Sequence, residues 1–110
     1  MNSIFKISKA SALQKLTESN FEFEQVLQHG TLEIEFYKPI EIDKQQPHHK
    51  DEIYIIASGN SKFYHEGEIT EVGTGDCLFV AAYNEHRFFN FSNDFAVWAI
   101  FYGPEGGEKP

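Results

Sequence analysis

The sequence predicts an all-β domain, a barrel or sandwich of short strands preceded by one short helix. Three observations lead there. Phe21-Glu22-Phe23-Glu24 and Leu32-Glu33-Ile34-Glu35-Phe36 alternate apolar and polar residues, the period of half-buried strands. Turn-forming residues recur at near-regular intervals along the rest of the chain. Aromatic side chains make up 15 % of the residues, with eleven Phe, five Tyr and one Trp, and such side chains favour a pleated surface over a helix.

Residues 8–18 form the one convincing helical stretch. Ser8 or Ser11 can cap it, and Ala12, Leu13 and Leu16 fall on one face. So short a helix needs a surface to pack on. After the first two strands, joined by a turn at His29-Gly30, the segments 53–57, 61–65, 68–72, 78–80, 86–91 and 95–102 read as further strands. Gly59-Asn60, Glu66-Gly67, Gly73 to Asp76, Tyr83-Asn84 and Ser92 to Asp94 read as the turns between them. The last strand is apolar on both faces: Phe95, Val97, Ala99 and Phe101 on one, Ala96, Trp98, Ile100 and Tyr102 on the other. Such a strand is covered on both sides, so the N-terminal segment or a second subunit is expected on the outer face, and a homodimer is the favoured expectation. The segment after Tyr102, rich in Gly and Pro, is expected to be loose.

At 110 residues the chain is expected to be one domain, 1–110. Its net charge is −8, with nine Lys and Arg against seventeen Asp and Glu. That balance offers no basic face to displace counterions, which argues against a nucleic-acid partner. Cys77 is the single cysteine, so no internal disulfide forms, and a reducing cytoplasm suits it. The N-terminal residues 1–9 lack the apolar core of a secretory signal, and the run at 95–102 is too short to span a bilayer as a helix, so no membrane association is expected.

The chemistry-bearing residues cluster in two places, Gln46-Pro47-His48-His49-Lys50-Asp51-Glu52 and His86-Arg87-Phe88-Phe89-Asn90. His48 and Glu52 share a strand parity; so does Lys50, which calls for a turn between them or a lysine that reaches out of the barrel mouth. His86 shares a face with Phe88 and Asn90. If the strands close on themselves, two imidazoles and a carboxylate meet in an apolar interior. An unpaired buried carboxylate there costs several kcal/mol, and a divalent cation removes that cost. Taken singly each residue has a bland reading, a solvated loop or a surface acid. His49 has the opposite parity to His48 and is read as outward, a weak alternative ligand. Asp51 and Glu85 are expected to face water, and Cys77 to be a core thiol.

These residues resemble the two signatures of the cupin family. Gln46, His48, Glu52 and Gly59 stand where the first signature has a histidine pair, a glutamate and a glycine. Gly75, Asp76, His86 and Asn90 match the second, with Ala81-Ala82-Tyr83 in place of its Pro-x-Gly turn. The resemblance covers about residues 30–102, and Asp94 to Pro104 is similar to small single-domain cupins, some of them linked to polyketide biosynthesis. It implies a double-stranded β-helix, the cupin jelly-roll barrel, with a short N-terminal helix added. It implies one divalent transition metal (Fe, Mn, Ni or Zn) held by His48, Glu52 and His86, with Gln46 as an optional oxygen donor in place of a histidine. Tyr54, Phe36, Phe88 and Trp98 are the expected wall around a small organic ligand. The expected activity is that of a metal-dependent enzyme on a small organic molecule, by oxygenation, isomerisation or cyclisation. The competing expectations are a non-catalytic module that binds a small ligand or a metal, and a metal-free structural dimer.

Overall fold

The computed structural model describes residues 5–19 and 21–110; residues 1–4, on which part of the leader expectation rests, and Asn20 lie outside the described residues. Helix α1 (Lys9–Ser19) opens the described chain. Ser8 caps it: its Oγ accepts from the Ser11 amide at 3.1 Å, and its carbonyl accepts from Ala12 at 3.1 Å. Eight strands follow, β1 (Phe23–His29), β2 (Leu32–Tyr37), β3 (Asp51–Ser58), β4 (Asn60–His65), β5 (Glu68–Gly73), β6 (Cys77–Val80), β7 (His86–Phe89) and β8 (Ala96–Tyr102). They make a five-stranded sheet in the order β1-β2-β8-β3-β6 and a three-stranded sheet in the order β5-β4-β7. All pairings are antiparallel. The two sheets face each other as a jelly-roll barrel.

The chain changes sheets between β3 and β4, and Gly59 makes the corner. Its φ is +76°, and a Cβ there would lie 2.8 Å from the Phe95 Cα, so a side chain is excluded by both backbone conformation and space. Ser58 Oγ donates to the Asp94 carbonyl at 2.6 Å, and the Asn60 amide donates to Ser92 Oγ at 3.0 Å. These bonds fasten the corner to the turn that precedes β8.

The inward faces of both sheets form the main core, with Tyr54 and Ile56 from β3, Phe63 from β4, Phe88 from β7, and Val97, Ala99 and Phe101 from β8. On the outer face of the large sheet a second cluster joins Ala12 and Leu16 of α1 to Val26, Phe36 and Ala96, with Trp98 packed against it. The helix therefore covers part of the outer face of β8, as its two apolar faces require. Beyond the helix, Ile55 and Phe79 are exposed on the same outer face.

Three local expectations are overturned. Cys77 is exposed rather than a core thiol, because its parity, opposite to Val80, turns it outward. Asp51 does not face water: it is buried, and its carboxylate accepts from the Ala82 amide at 2.9 Å and the Glu108 amide at 2.8 Å. The segment after Tyr102 has no regular structure, yet it is tied down. Besides the Asp51 bond, the Gly106 amide donates to the His49 carbonyl at 2.6 Å, so backbone groups with no ladder to join are satisfied by the mouth of the barrel.

Candidate metal centre

Glu52 is a carboxylate where the burial pattern calls for an apolar side chain: it is 0 % exposed, on β3, with Tyr54 and Ile56 following on the same inward face. Both of its oxygens lack a hydrogen-bond partner, and among the described residues they are the only buried side-chain polar atoms in that state. His86, the first residue of β7, comes from the opposite sheet and places Nε2 3.4 Å from Glu52 Oε1. His48 precedes β3, in a segment that bends at residues 49–50, and places Nε2 3.6 Å from the same oxygen. The bend resolves the parity problem of Lys50, whose Nζ leaves the interior to donate to the Thr31 carbonyl at 3.1 Å.

The tautomer of His86 is set from behind. Its Nδ1 lies 2.8 Å from the Asn84 carbonyl, an acceptor only, so Nδ1 carries the hydrogen and neutral His86 turns a lone pair on Nε2 inward. Burial pushes the His86 imidazole down, but Glu52 and the Asn84 carbonyl outweigh it and the net direction is up. Burial also pushes His48 down, only partly offset by the charge of Glu52. His48, Glu52 and His86 offer ligand atoms that all lie within 4.8 Å of one another. An orphaned carboxylate between two imidazole nitrogens is a donor set that a divalent cation satisfies, so the residues present fit a metal.

The segment between β2 and β3 supplies residues that sequence reasoning missed. Gln45 Oε1 lies 3.2 Å from His48 Nε2 and accepts from the Tyr54 hydroxyl at 2.7 Å. Asp43 takes four hydrogen bonds: Tyr37 Oη at 2.7 Å and the Gln45 amide at 3.0 Å on Oδ1, Gln45 Nε2 at 3.0 Å and the Phe88 amide at 2.8 Å on Oδ2. Gln46, the expected optional donor, is exposed. No periodicity marks an irregular segment, so the only available signal was the density of polar residues just before Pro47.

The expected ligand wall also needs correction. Phe36 and Trp98 are not near the candidate ligands: their rings pack against each other at 4.7 Å on the outer face under α1. Alternation says which residues share a face, and on a strand apolar on both sides it does not say which face is inside. Phe88 is core, enclosed by Tyr54, Phe63 and Phe95. Tyr54 is buried too, but its hydroxyl reaches His86 Nε2 at 3.0 Å. Burial, and then the charge of Glu52, push that hydroxyl well above the ordinary tyrosine range. His49 points outward and approaches Glu105 at 3.6 Å.

Two cavities, of about 250 and 400 Å³, adjoin the centre and share His48 and Glu35. Phe101 lines the smaller, and Phe23, Tyr37 and Ala99 line the larger. Glu35 sits on β2, whose parity turns Phe36 outward and Glu35 inward. Burial, then the charges of Glu52 and Glu33, push its carboxyl up.

Comparison with known proteins identifies the family. The family described as the cupin domain matches residues 33–102. The chain belongs to the cupin family. An uncharacterized protein of Streptomyces coelicolor is 36 % identical over 63 residues, which span 57 % of this chain and 60 % of that protein. Among solved structures this cupin is similar to the plu4264 protein of Photorhabdus luminescens, at 19 % identity and a TM-score of 0.67 over 94 % of this chain and 89 % of that one. It is similar to KdgF from a Halomonas species, at 17 % identity and a TM-score of 0.66 over 76 % of this chain and 78 % of that one. It is also similar to the DMSP lyase DddQ of Ruegeria pomeroyi, at 21 % identity and a TM-score of 0.64 over 74 % of this chain and 46 % of that one. At these identities the likeness speaks to the fold alone. Where the second cupin signature has its Pro-x-Gly turn, this cupin places Tyr83 at a φ of +67° and anchors the Tyr83 amide to the His48 carbonyl at 2.7 Å. No helix among the described residues is long and apolar enough to cross a membrane.

Proposed function

We propose that this cupin is a metal-dependent enzyme acting on a small organic molecule in the barrel mouth. The observation that carries the reading is Glu52: a carboxylate closed off from solvent, both oxygens unpartnered, flanked by imidazole nitrogens from two directions. His48, Glu52 and His86 would hold one divalent transition metal (Fe, Mn, Ni or Zn), which when bound supplies a Lewis acid and, if iron, redox chemistry with O₂. Every other role falls to the chain. Glu52 balances charge, and the Asn84 carbonyl keeps the His86 lone pair aimed inward. Tyr54 holds its proton at Oη, available to a substrate atom that displaces one of its present partners. Glu35 places a carboxyl with a raised proton affinity in the walls of both cavities, the group that separates a catalyst from a passive binder. Phe23, Tyr37 and Phe101 give the cavities apolar walls suited to an organic ligand.

Metal analysis of purified wild type, His86→Ala and Glu52→Ala tests the reading. Metal in the wild type and its loss from two folded variants support it; equal, near-zero metal in all three removes it. A homodimer is proposed alongside, supported by the apolar outer face that α1 leaves uncovered at Ile55 and Phe79.

A further inference from the structure

We infer that Gln45, one residue before the position its family would suggest, completes the donor set through its amide oxygen, and that Asp43 is the residue that aims it. The inference rests on the proposed metal site and adds a ligand and a positioning residue to it.

Five polar atoms close a ring at the barrel mouth. Going round, Gln45 Oε1 to His48 Nε2 is 3.2 Å, His48 Nε2 to Glu52 Oε1 is 3.6 Å, and Glu52 Oε1 to His86 Nε2 is 3.4 Å. His86 Nε2 to Tyr54 Oη is 3.0 Å, and Tyr54 Oη back to Gln45 Oε1 is 2.7 Å. Nitrogen and oxygen donors about 2.1 Å from a divalent ion stand roughly 3.0–3.4 Å from their neighbours in tetrahedral or octahedral geometry. Gln45 Oε1 keeps that spacing from His48 Nε2 at 3.2 Å, as Glu52 Oε1 does from His86 Nε2 at 3.4 Å.

The ring is short of hydrogens. His86 spends its Nδ1 hydrogen on Asn84 and, when neutral, brings none to Nε2. Glu52 brings none. The Tyr54 hydroxyl brings one, and His48 brings one if Nε2 is the protonated nitrogen. With both imidazoles neutral, as metal ligation requires, at most two hydrogens serve these five contacts. A cation resolves the shortage, and once His48 Nε2 gives up its hydrogen to become a ligand, its lone pair and that of Gln45 Oε1 face each other across 3.2 Å, an arrangement that is repulsive without the ion.

The amide cannot be turned the other way. Gln45 Nε2 donates to Asp43 Oδ2 at 3.0 Å; flipping the group would set its oxygen against that carboxylate. Asp43 is itself locked by Tyr37 Oη and the Phe88 amide, so the orientation of the Gln45 oxygen is built into the fold rather than chosen by a ligand. Gln46, by contrast, is exposed. Two nitrogens and two oxygens, one of them a neutral carbonyl, form a harder set than the three imidazoles the family signature allows, and oxygen donors matter more to Mn(II) than to Zn(II).

The test is titration of purified wild type, Gln45→Leu, Gln46→Ala, Asp43→Asn and Gln45→Glu with Co(II), read by its visible absorption, and with Mn(II), read by loss of its free-ion EPR signal. Urea unfolding in chelator verifies that each variant folds. Expected are a Co(II) affinity at least about tenfold weaker in Gln45→Leu, the usual scale for losing one support of a metal site, with an altered absorption band. Mn(II) should suffer more than Zn(II) measured by competition. Asp43→Asn should fall between, Gln45→Glu should retain binding, and Gln46→Ala should match wild type. Unchanged affinity and spectrum in Gln45→Leu, while Glu52→Ala and His86→Ala lose the ion, overturns this inference and leaves the metal site standing. Weakening by Gln46→Ala alone overturns it in favour of the family position. A wild type that binds neither ion overturns both readings.

Discussion

Glu52 and His86 meet from opposite sheets, Oε1 3.4 Å from Nε2, with both side chains sealed from solvent. The barrel thus spends a carboxylate where its core would otherwise be apolar, and leaves both oxygens without a donor. Removing that charge is expected to help the metal-free fold. In chelator, Glu52→Gln should raise the unfolding free energy by about 1–3 kcal/mol, the scale of an unsatisfied buried polar group. Urea denaturation at matched pH measures it. A variant less stable than wild type in chelator would mean that Glu52 is satisfied by its surroundings after all.

Metal should supply what the apo fold lacks. An ion that binds only the folded state at a hundred times its dissociation constant adds about 2.7 kcal/mol, which for a domain of this size corresponds to a rise in Tm on the order of 10 °C. Thermal unfolding of chelated wild type with added Mn(II), Ni(II) or Zn(II) should show such a rise, absent in His86→Ala. No rise with any of these ions in the wild type would contradict a built site.

The triad was legible because its members fall at signature spacings and two of them lie on segments with a regular period: Glu52 begins the inward series continued by Tyr54 and Ile56, and His86 begins the one continued by Phe88, whereas His48, ahead of the bend at 49–50, was placed by the spacing alone. Gln45 and Asp43 were not, because they lie in a stretch without a period, where position is decided by hydrogen bonds to Tyr37, Tyr54 and Phe88 that no spacing foretells. Trp98 was legible as one face of β8 but not as its outer face; only the docking of Ala12 and Leu16 decides that. Asp51 misled for the opposite reason. A charged residue next to a ligand reads as solvated, and what buries it is the segment after Tyr102, with Gly107 and Glu108 against its carboxylate.

That tail gives a third expectation. Asp51→Ala removes the acceptor for both Ala82 and Glu108 amides and should cost about 1.5–3 kcal/mol, as for hydrogen bonds to a charged group. Hydrogen exchange should show lost protection at those two amides while the β4–β5 pairing keeps its own. Unchanged protection at Glu108 would show that the tail is held by other contacts.

Glu35 should make apo stability fall as pH rises. Its carboxyl is pushed above the usual value of 4.5, so between that value and its folded pKa the native state holds a proton the unfolded chain has released. The unfolded state then binds fewer protons, and stability declines with pH through that window. The stability contributed by protonated Glu35 is complete below 4.5 and lost on passing the folded pKa. Glu35→Gln should therefore gain on wild type progressively from pH 4 to neutrality in chelator. Bound metal, by offsetting the Glu52 charge that contributes to the shift, should shrink the difference. A gap between variant and wild type that is constant with pH would show that Glu35 is solvated as an ordinary surface acid.

The outer face of the large sheet frames the last expectation. Ile55 pairs with Trp98 on one side and Cys77 on the other, and Ile53 pairs with Ile100 and Phe79. These side chains all point away from the barrel core, because Tyr54 and Ile56 between them point into it. Helix α1 covers the end of this face near β1 and β2 and stops short of β6, where Phe79 is 56 % exposed. A second copy seated there would bury what remains exposed of the isoleucines and the phenylalanine, each gaining a fraction of the roughly 1.5–3 kcal/mol that complete burial of such a side chain is worth. Sedimentation at micromolar concentration should give a dimer, and Phe79→Asp with Ile55→Lys should give a folded monomer that still binds metal, since neither side chain reaches the ring of donors. A wild type that sediments as a monomer would leave this face without the partner proposed for it.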